Sequence, residues 1–312
     1  MKITKINCGV ETPRILINRK LMKHLKLIIF IIFCLLLAGY SYFIEPNSLE
    51  VNRYIVQDEQ LKGVKIVFAS DFHIKPYGQK RLDMIVEKIN AENPDFVVSA
   101  GDFVCGHTHH STMPIEQIAK TLGKVKAKFG FYTSLGNHDG WYGNDEITKN
   151  LEQNGIKVLS NSNISLNIRG QKLYIAGIED YDTGGPNIFK ALEGVEVDEN
   201  GRYNKPIIML SHTPDMFPKM PDEITLVLAG HCHGGQIRIS FLGPIFTASR
   251  YGDKYAKGWK QEKDGKSIKI DTSKPIKLQK DISTLFVTRG IGVSILPLRF
   301  NCPPEINIIE FQ

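Results

Sequence analysis

The chain has 312 residues, of which 42% are hydrophobic and 23% charged, a composition that is ordinary for a globular protein. Its net charge of +6 is modest, and no basic stripe with interleaved aromatic residues follows residue 26, so we expect no nucleic-acid partner. The five cysteines show no CxxC spacing and leave one unpaired, so they imply no disulfide framework.

The amino-terminal part of the sequence predicts a membrane anchor. Residues 27–44 carry no charge and are just long enough to cross a bilayer. Tyr40, Tyr42 and Phe43 resemble an interfacial aromatic belt. The predicted organisation is a basic segment (1–26), a transmembrane helix (27–44), a linker (45–61) and one domain (62–312).

Basic residues dominate before the apolar stretch, which predicts the sidedness of the membrane protein. They are Lys2, Lys5, Arg14, Arg19, Lys20, Lys23 and Lys26. The positive-inside rule then places the amino terminus in the cytoplasm and the domain outside a bacterial cell membrane, as a single-pass protein. A cleaved signal peptide is the alternative, but the stretch is long and lacks a clear small-x-small site. An interfacial helix would need a charged face, which this segment lacks.

Further along the chain, five apolar, strand-like runs each end in residues that bind metals. The segments are Asp71-Phe72-His73, Gly101-Asp102, Gly136-Asn137-His138-Asp139, Ser211-His212 and Gly230-His231-Cys232-His233. Continuous apolar runs are typical of strands buried on both faces, and ligands gather where such strands end. Alone, an Asp could cap a helix, an Asn could form a turn and a His could be an interior residue. Together, the five segments predict a metal site.

The remaining pattern indicates an α/β architecture. Residues 81–90 and 115–122 have helical apolar spacing and alternate with the first strands, while residues 285–288 and 306–309 add strands near the end. Two polar stretches, 181–204 and 258–280, are predicted to be solvated surface segments, one of which could instead shape the substrate entrance.

In their order, the five segments match the blocks D-x-H, G-D, G-N-H-[DE], H and G-H-x-H, and the chain resembles calcineurin-like metallophosphoesterases over residues 62–312. Residues 230–236 and the tail 289–305 resemble a membrane-associated bacterial branch. That branch includes phosphodiesterases and a UDP-2,3-diacylglucosamine pyrophosphatase of lipid A synthesis. Cys105 departs from the pattern at a position that is not a ligand in the family. The resemblance implies two facing mixed β-sheets flanked by helices, here preceded by one transmembrane helix.

The resemblance also implies two divalent metal ions and assigns their ligands. Asp102 would bridge the ions; Asp71, His73 and His233 would complete the first site, and Asn137, His212 and His231 the second. Mixed oxygen and nitrogen donors suit manganese, iron or zinc without choosing among them. Such a pair activates a water for attack on phosphorus.

Other residues are expected to act on the substrate. His138 resembles the non-metal histidine of the family, which bonds a phosphoryl oxygen or protonates the leaving group, and Asp139 could orient it. Arg289 and Arg299 could clamp a phosphate or could form surface ion pairs. The histidine-rich stretch 105–110 is expected to be a solvated or substrate-facing loop and not a third metal site.

These expectations combine into a membrane-anchored, metal-dependent phosphohydrolase. Its substrate would carry a phosphodiester or pyrophosphate bond and a lipid, because the anchor holds the domain at the membrane. The UDP-2,3-diacylglucosamine pyrophosphatase function is an alternative, although its substrate is cytoplasmic. A non-catalytic membrane scaffold should have lost ligand residues, and a nuclease would need a basic groove.

Overall fold

The structure, a computed structural model, describes residues 19–106, 108 and 110–312, with side chains from residue 22 onward. Most of the predicted basic segment, and also His107 and His109, therefore lie outside the described residues. The chain divides into two units: the first ends at Tyr40, and the second is Ser41–Gln312.

The first unit contains one long apolar helix. Helix α1 (Arg19–Gly39) leads into a π-helical turn, Tyr40–Ile44. The stretch Met22–Asn47 is long and apolar enough to cross a membrane, and it is the one such stretch among the described residues. This agrees with the predicted span 27–44 by length and composition.

The second unit contains five α-helices and sixteen strands in the described part of the chain. The helices are α2 (Gln79–Ala91), α3 (Ile115–Leu122), α4 (Asn137–Tyr142), α5 (Asn144–Gln153) and α6 (Ile188–Ala191). The strands are β1 (Glu50–Gln57), β2 (Lys65–Phe68), β3 (Phe96–Ser99), β4 (Phe131–Thr133), β5 (Ile156–Val158), β6 (Ser162–Ile168), β7 (Gln171–Gly177), β8 (Ile207–Ser211), β9 (Leu226–Ala229), β10 (Arg238–Ile239), β11 (Gly243–Pro244), β12 (Gly258–Lys263), β13 (Lys266–Ile268), β14 (Ile276–Lys277), β15 (Ser283–Val287) and β16 (Glu305–Phe311).

Two seven-stranded mixed sheets form the second unit. Strand β1 belongs to the first of them, so the prediction that residues 45–61 are a linker outside the domain was wrong. The first has the order β14-β1-β16-β2-β3-β4-β5, in which β2 to β5 are parallel and β16 is antiparallel to β2. The second has the order β13-β12-β15-β9-β8-β7-β6, with β7, β8, β9 and β15 parallel. The small hairpin of β10 and β11 is separate from both sheets.

The hydrophobic core has three layers, which explains why the inner strands are continuously apolar. Phe68 and Phe96 of the first sheet pack with Leu228 and Phe286 of the second, between the sheets. The outer face of the first sheet packs against α2, α3 and α5, and that of the second sheet packs against α6 and neighbouring turns. Strands buried on both faces need apolar residues at every position. The predicted pair of mixed sheets flanked by helices is confirmed.

One predicted surface stretch is partly a sheet strand. Within residues 258–280, β12 pairs with β15, and its Trp259, Gln261 and Glu262 are buried. The polar side chains of Gln261 and Glu262 have partners: Gln261 Nε2 donates to the Lys277 carbonyl at 2.8 Å, and Tyr255 donates to Glu262 at 2.9 Å. The prediction of a solvated segment was wrong for β12, because side-chain polarity alone does not reveal buried hydrogen-bond partners.

Candidate metal centre

The predicted ligand residues follow the carboxyl ends of strands in both sheets. Strands β2, β3 and β4 of the first sheet lead into Asp71, Asp102 and Asn137, while β8 and β9 of the second lead into the histidines. Those histidines are His212, His231 and His233. The structure brings all seven residues together, and six of them are buried, with His231 only partly exposed.

A first cluster is formed by four of these residues. One ligand atom from each of Asp71, His73, Asp102 and His233 lies within 4.8 Å of the others. His73 Nε2 is 3.0 Å from His233 Nε2 and 3.3 Å from Asp102 Oδ2. This is the ligand set that the family resemblance assigns to the first ion.

A second cluster shares Asp102 with the first. Asn137 Oδ1 lies 2.8 Å from His212 Nε2 and 2.9 Å from His231 Nδ1. His212 Nε2 is 3.3 Å from Asp102 Oδ2, the same oxygen that faces His73. Asp102 therefore occupies the position between the clusters that a bridging carboxylate requires.

The donor set fits divalent cations. His212 Nδ1 is 2.9 Å from the Ala100 carbonyl, which can only accept, so that nitrogen carries the proton. The lone pair of His212 Nε2 then faces two further acceptors, on Asn137 and Asp102. Asp71 Oδ2 is buried and has no hydrogen-bond partner. Converging acceptors in a buried site require a positive charge.

The pKa values of the clustered residues also favour a bound cation. Burial acts to raise the pKa of Asp102, but His212 and His73 outweigh it and hold this pKa well below its usual range. Burial acts to lower the pKa of His212, but the negative charge of Asp102 has the larger effect, and the net result is a pKa raised to about 10. A proton and a metal ion therefore compete for the same nitrogen. Burial lowers the pKa of His231 to about 4, which favours the neutral form that a ligand needs.

The backbone at the ligands is strained. Asp71, His73, Asp102, His231 and His233 all have positive φ, between 41° and 67°. Residues other than glycine adopt this region rarely, and such outliers cluster at functional sites, where the surrounding structure enforces them. Five of the seven predicted ligands thus adopt a backbone conformation that the surrounding structure must enforce.

Glycine permits the close approach of these loops at Gly136 and Gly230. A Cβ at Gly136 would collide with Oδ1 of Asp102 and with the ring of His212. One at Gly230 would collide with the carboxylate of Asp71. Both glycines directly precede a predicted ligand, so the ligand loops can touch only without side chains there.

His138 lies beside the bridging carboxylate. Its backbone N–H donates to Asp102 Oδ1 at 2.9 Å, and its ring packs edge-on against His73, with centroids 4.5 Å apart. His138 Nδ1 is 2.9 Å from the carbonyl of Cys105, which fixes the proton on that nitrogen. Burial lowers the pKa of His138 to about 4, so the ring is neutral near pH 7. Nε2 is 3.3 Å from Ser294 Oγ.

The predicted role of Asp139 needs correction. Its carboxylate accepts backbone N–H groups of Asp102 at 2.7 Å, Phe103 at 2.9 Å and Gly136 at 3.0 Å. Burial and the charge of Asp102 raise its pKa to about 7. Asp139 therefore clamps two ligand loops together, while the carbonyl of Cys105 orients the ring of His138.

The predicted phosphate clamps also need correction. Arg299 is fully buried and donates to the carbonyl oxygens of Gly292, Cys302, Arg289 and Gly290. Its Nη2 lies 3.4 Å from His233 Nδ1, so it orders the tail loop beside a predicted ligand. Arg289 donates to Glu305 at 2.6 Å and to Glu50 at 2.8 Å. Both guanidinium groups are thus engaged by the protein.

Sequence reasoning missed two contributors to the site. The side chain of Ser294 contacts His138, but Ser294 is outside the five sequence blocks. Cys105 contributes its backbone carbonyl oxygen, which a pattern of residue types does not reveal. The tail motif was the available signal for Ser294, because it marks the neighbouring residues 289–292. In the histidine-rich loop, Cys105 Sγ bonds the His73 carbonyl at 2.7 Å and His110 is exposed.

Comparisons with known proteins agree with this geometry. The model of the family "Calcineurin-like phosphoesterase" matches residues 64–259. An uncharacterized metallophosphoesterase of Bacillus subtilis, YkuE, is 31% identical over 88% of this chain and 89% of the relative. Phosphodiesterase YaeI of Escherichia coli is 26% identical over 87% of this chain and 92% of the relative. A protein of Danio rerio named "Transmembrane protein with metallophosphoesterase domain" is 34% identical over 57% of this chain and 42% of the relative.

Proposed function

The chain belongs to the calcineurin-like phosphoesterase family and is a metal-dependent hydrolase, and from this we propose a membrane-anchored enzyme that cleaves a phosphodiester or pyrophosphate bond in a lipid-linked substrate. The observation that carries the proposal is the position of Asp102. One carboxylate oxygen lies 3.3 Å from His73 Nε2 and 3.3 Å from His212 Nε2, between two clusters of ligand atoms. That arrangement suits two cations that act on one phosphoryl group.

Each cluster would hold one divalent ion. Asp71, His73 and His233 would bind the first with Asp102, and the second set is Asn137, His212 and His231. When bound, a pair of ions about 4 Å apart lowers the pKa of a water and stabilises the charge on the phosphoryl oxygens. Manganese, iron and zinc all suit these donors.

His138 would handle the proton of the leaving group. Its backbone bond to Asp102 fixes it next to the bridging position, and the Cys105 carbonyl holds the proton on Nδ1. Nε2 is therefore the atom that can take up a second proton, released by the water that attacks phosphorus, and then donate it to the leaving oxygen or share it with a phosphoryl oxygen. Asp139 would act on catalysis only indirectly, by positioning Asp102 and Gly136.

The lipid-linked substrate is supported by the apolar stretch Met22–Asn47. A catalytic unit tethered to a bilayer meets lipid headgroups at high effective concentration. The name of the Escherichia coli relative supports a phosphodiester, and that of the Danio rerio relative supports a membrane setting.

Turnover by the full chain in lipid nanodiscs tests the proposal. Metal-stripped protein is loaded with manganese, iron or zinc and assayed on p-nitrophenyl phosphate, its bis-ester, phospholipids and UDP-diacylglucosamine. We expect metal-dependent hydrolysis of the bis-ester above the mono-ester, and of at least one lipid substrate. An absence of hydrolysis with every metal would refute catalysis, while activity on soluble substrates alone would refute the lipid-linked substrate. Asp102→Ala serves as the inactive control.

A further inference from the structure

Six apolar side chains are exposed together near the metal centre. They lie on the hairpin of β10 and β11, on the residues that follow it, and on the tail loop, and all are between 49% and 87% exposed. We call this set the apolar rim: Phe241, Leu242, Ile245, Phe246, Ile295 and Leu296. Exposed apolar patches on soluble domains mark interaction surfaces.

Hydrogen bonds join the two parts of the apolar rim. Gln236, just before β10, donates to the carbonyl of Ser294 at 2.8 Å and accepts from the backbone of Ser294 at 2.7 Å. Ile237 forms a β-bridge with Phe300, and Asn301 Nδ2 is 3.3 Å from Ser240 Oγ. The hairpin and the tail loop therefore form one surface.

The same tail loop is bound to the first residues of the second unit, which directly follow helix α1 in the chain. The backbone N–H of Arg299 donates to the Ser41 carbonyl at 2.9 Å, and that of Asn301 donates to Glu45 Oε2 at 2.9 Å. Ser41 and Glu45 both belong to the stretch Met22–Asn47. The loop that carries Ile295 and Leu296 is thus hydrogen-bonded to the residues of the second unit that follow the candidate span most closely in the chain. This favours lipid as the occupant of the rim.

The conformation of Ile295 is a separate indication. It has a φ of 60°, which is unfavourable for a β-branched residue, and its side chain is 87% exposed. Packing within the fold therefore does not compensate for the strain. Burial of this side chain in an apolar phase would compensate for it.

The apolar rim borders the metal centre. A Cβ on Gly235, two residues after the predicted ligand His233, would collide with Pro244 of the hairpin. On the tail loop, Ser294 Oγ is 3.3 Å from His138 Nε2, and Ile295 is the next residue. A surface that contacts the rim is therefore adjacent to the site of reaction.

We infer that the apolar rim inserts into the interfacial region of the bilayer and holds the metal centre against the lipid headgroups. Apolar side chains that enter this region add binding in proportion to the area they bury. The inference rests on the membrane anchoring in the proposed function and does not depend on catalysis.

Fluorescence quenching in the full chain tests the inference. Phe241→Trp and Phe246→Trp are reconstituted in nanodiscs made with lipids whose acyl chains are either brominated or unmodified. The emission of wild-type protein, from Trp141 and Trp259, is subtracted. The matched control is Phe189→Trp on α6, since Phe189 is 85% exposed like Phe241 but lies next to β6. Phe33→Trp in α1 reports the span itself.

We expect the added emission at positions 241 and 246 to be largely lost in brominated lipid, while that at position 189 is retained. Quenching at position 33 without quenching at 241 and 246 overturns the rim and leaves the span intact. Equal quenching at position 189 also overturns it, because lipid contact would then not be localised. An absence of quenching at all four positions overturns the rim together with the membrane anchoring, whereas the turnover assay on soluble substrates tests catalysis separately.

Discussion

At the scale of single residues, the geometry of the site depends on hydrogen bonds made by the ligand side chains through the polar atom that does not face the cluster. His73 and His212 direct Nδ1 to the carbonyls of Val104 and Ala100, so Nε2 is left for the cluster. Such outer partners fix the tautomer of a ligand histidine and its orientation. The carboxylate of Asp102 divides in a similar way: Oδ1 accepts the His138 N–H and Oδ2 faces both histidines.

Asp102→Ala is expected to abolish hydrolysis and to release metal. Removal of the carboxylate leaves two cations with no negative charge between them, which is unfavourable in a buried site. Metal content of the purified variant by mass spectrometry, measured beside turnover, is the test. Asp145→Ala, which removes an exposed carboxylate from the first turn of α5, is the control and should change neither quantity. Two bound ions with normal turnover in Asp102→Ala would exclude the bridging role.

His138→Ala is expected to retain metal and to lose roughly 10²–10⁴-fold in turnover, the range for a general acid. The loss should shrink for substrates with good leaving groups, because those need no proton. A series of aryl phosphodiesters of increasing leaving-group acidity measures this. An equal loss across the series would assign His138 to binding of the phosphoryl oxygens.

The sequence was sufficient to predict which residues form the site, but not which contacts several of them make. The order of the five blocks was sufficient to name the seven residues that the structure brings together. The roles of Asp139, Arg289 and Arg299 could not be predicted, because they depend on which partners the fold places beside each side chain: backbone N–H groups for Asp139, carboxylates for Arg289 and carbonyl oxygens for Arg299. Asp139 binds N–H groups of residues 102 and 103, more than thirty positions earlier.

At the scale of secondary structure, the two sheets are also joined away from the metal centre. Asp95, which directly precedes β3 of the first sheet, pairs with Arg169 in the turn between β6 and β7 of the second, with two contacts of 3.2 Å. Asp95 also accepts the Lys65 N–H at 2.9 Å. Burial acts to raise the pKa of Asp95, but these hydrogen bonds outweigh it and lower the pKa.

Asp95→Asn is expected to lower the free energy of unfolding by roughly 1–3 kcal/mol, because the buried carboxylate would no longer accept charge-assisted hydrogen bonds from the half-exposed Arg169 and from the Lys65 N–H. The folded pKa of Asp95 is depressed, so its contribution is present above the unfolded pKa of about 3.9 and is lost as pH falls through the folded value. Urea unfolding at pH 7, and then from pH 5 to pH 3, measures both effects.

The control for Asp95→Asn is Glu152→Gln, which removes an exposed ion pair with Lys157 and should cost little. We expect the variant Asp95→Asn to lose less stability than the wild type on acidification. Unchanged stability at pH 7 and an unchanged acid profile would show that this pair does not join the sheets.

Elements with strong periodicity were predictable and weakly patterned ones were not. Helix α3 has the predicted bounds, and the buried residues of α2 are the predicted apolar ones. The strand β12 was missed because its polar residues are paired inside the protein. The short hairpin of β10 and β11 has two residues per strand, which is too few for any periodicity to appear.

At the scale of the whole molecule, the proposed membrane anchoring leads to a prediction of topology. Seven basic residues against one acidic residue precede position 27, which should retain the amino terminus in the cytoplasm. Fusions at the carboxyl terminus should therefore give active alkaline phosphatase and dark green fluorescent protein. The reverse pattern would place the catalytic unit in the cytoplasm and would favour a UDP-linked substrate. The substitution Ile32→Lys should shift the chain out of the membrane fraction, because a charge at the centre of a spanning helix costs about 3 kcal/mol of insertion free energy.

Anomalous X-ray scattering from crystals of the manganese-loaded protein tests the two-ion centre most directly. We predict two peaks about 4 Å apart, one on each side of the Asp102 carboxylate. The first should lie among Asp71, His73 and His233, and the second among Asn137, His212 and His231. No peak at this position, or a single peak with the second group of residues unliganded at saturating metal, would contradict the dinuclear centre.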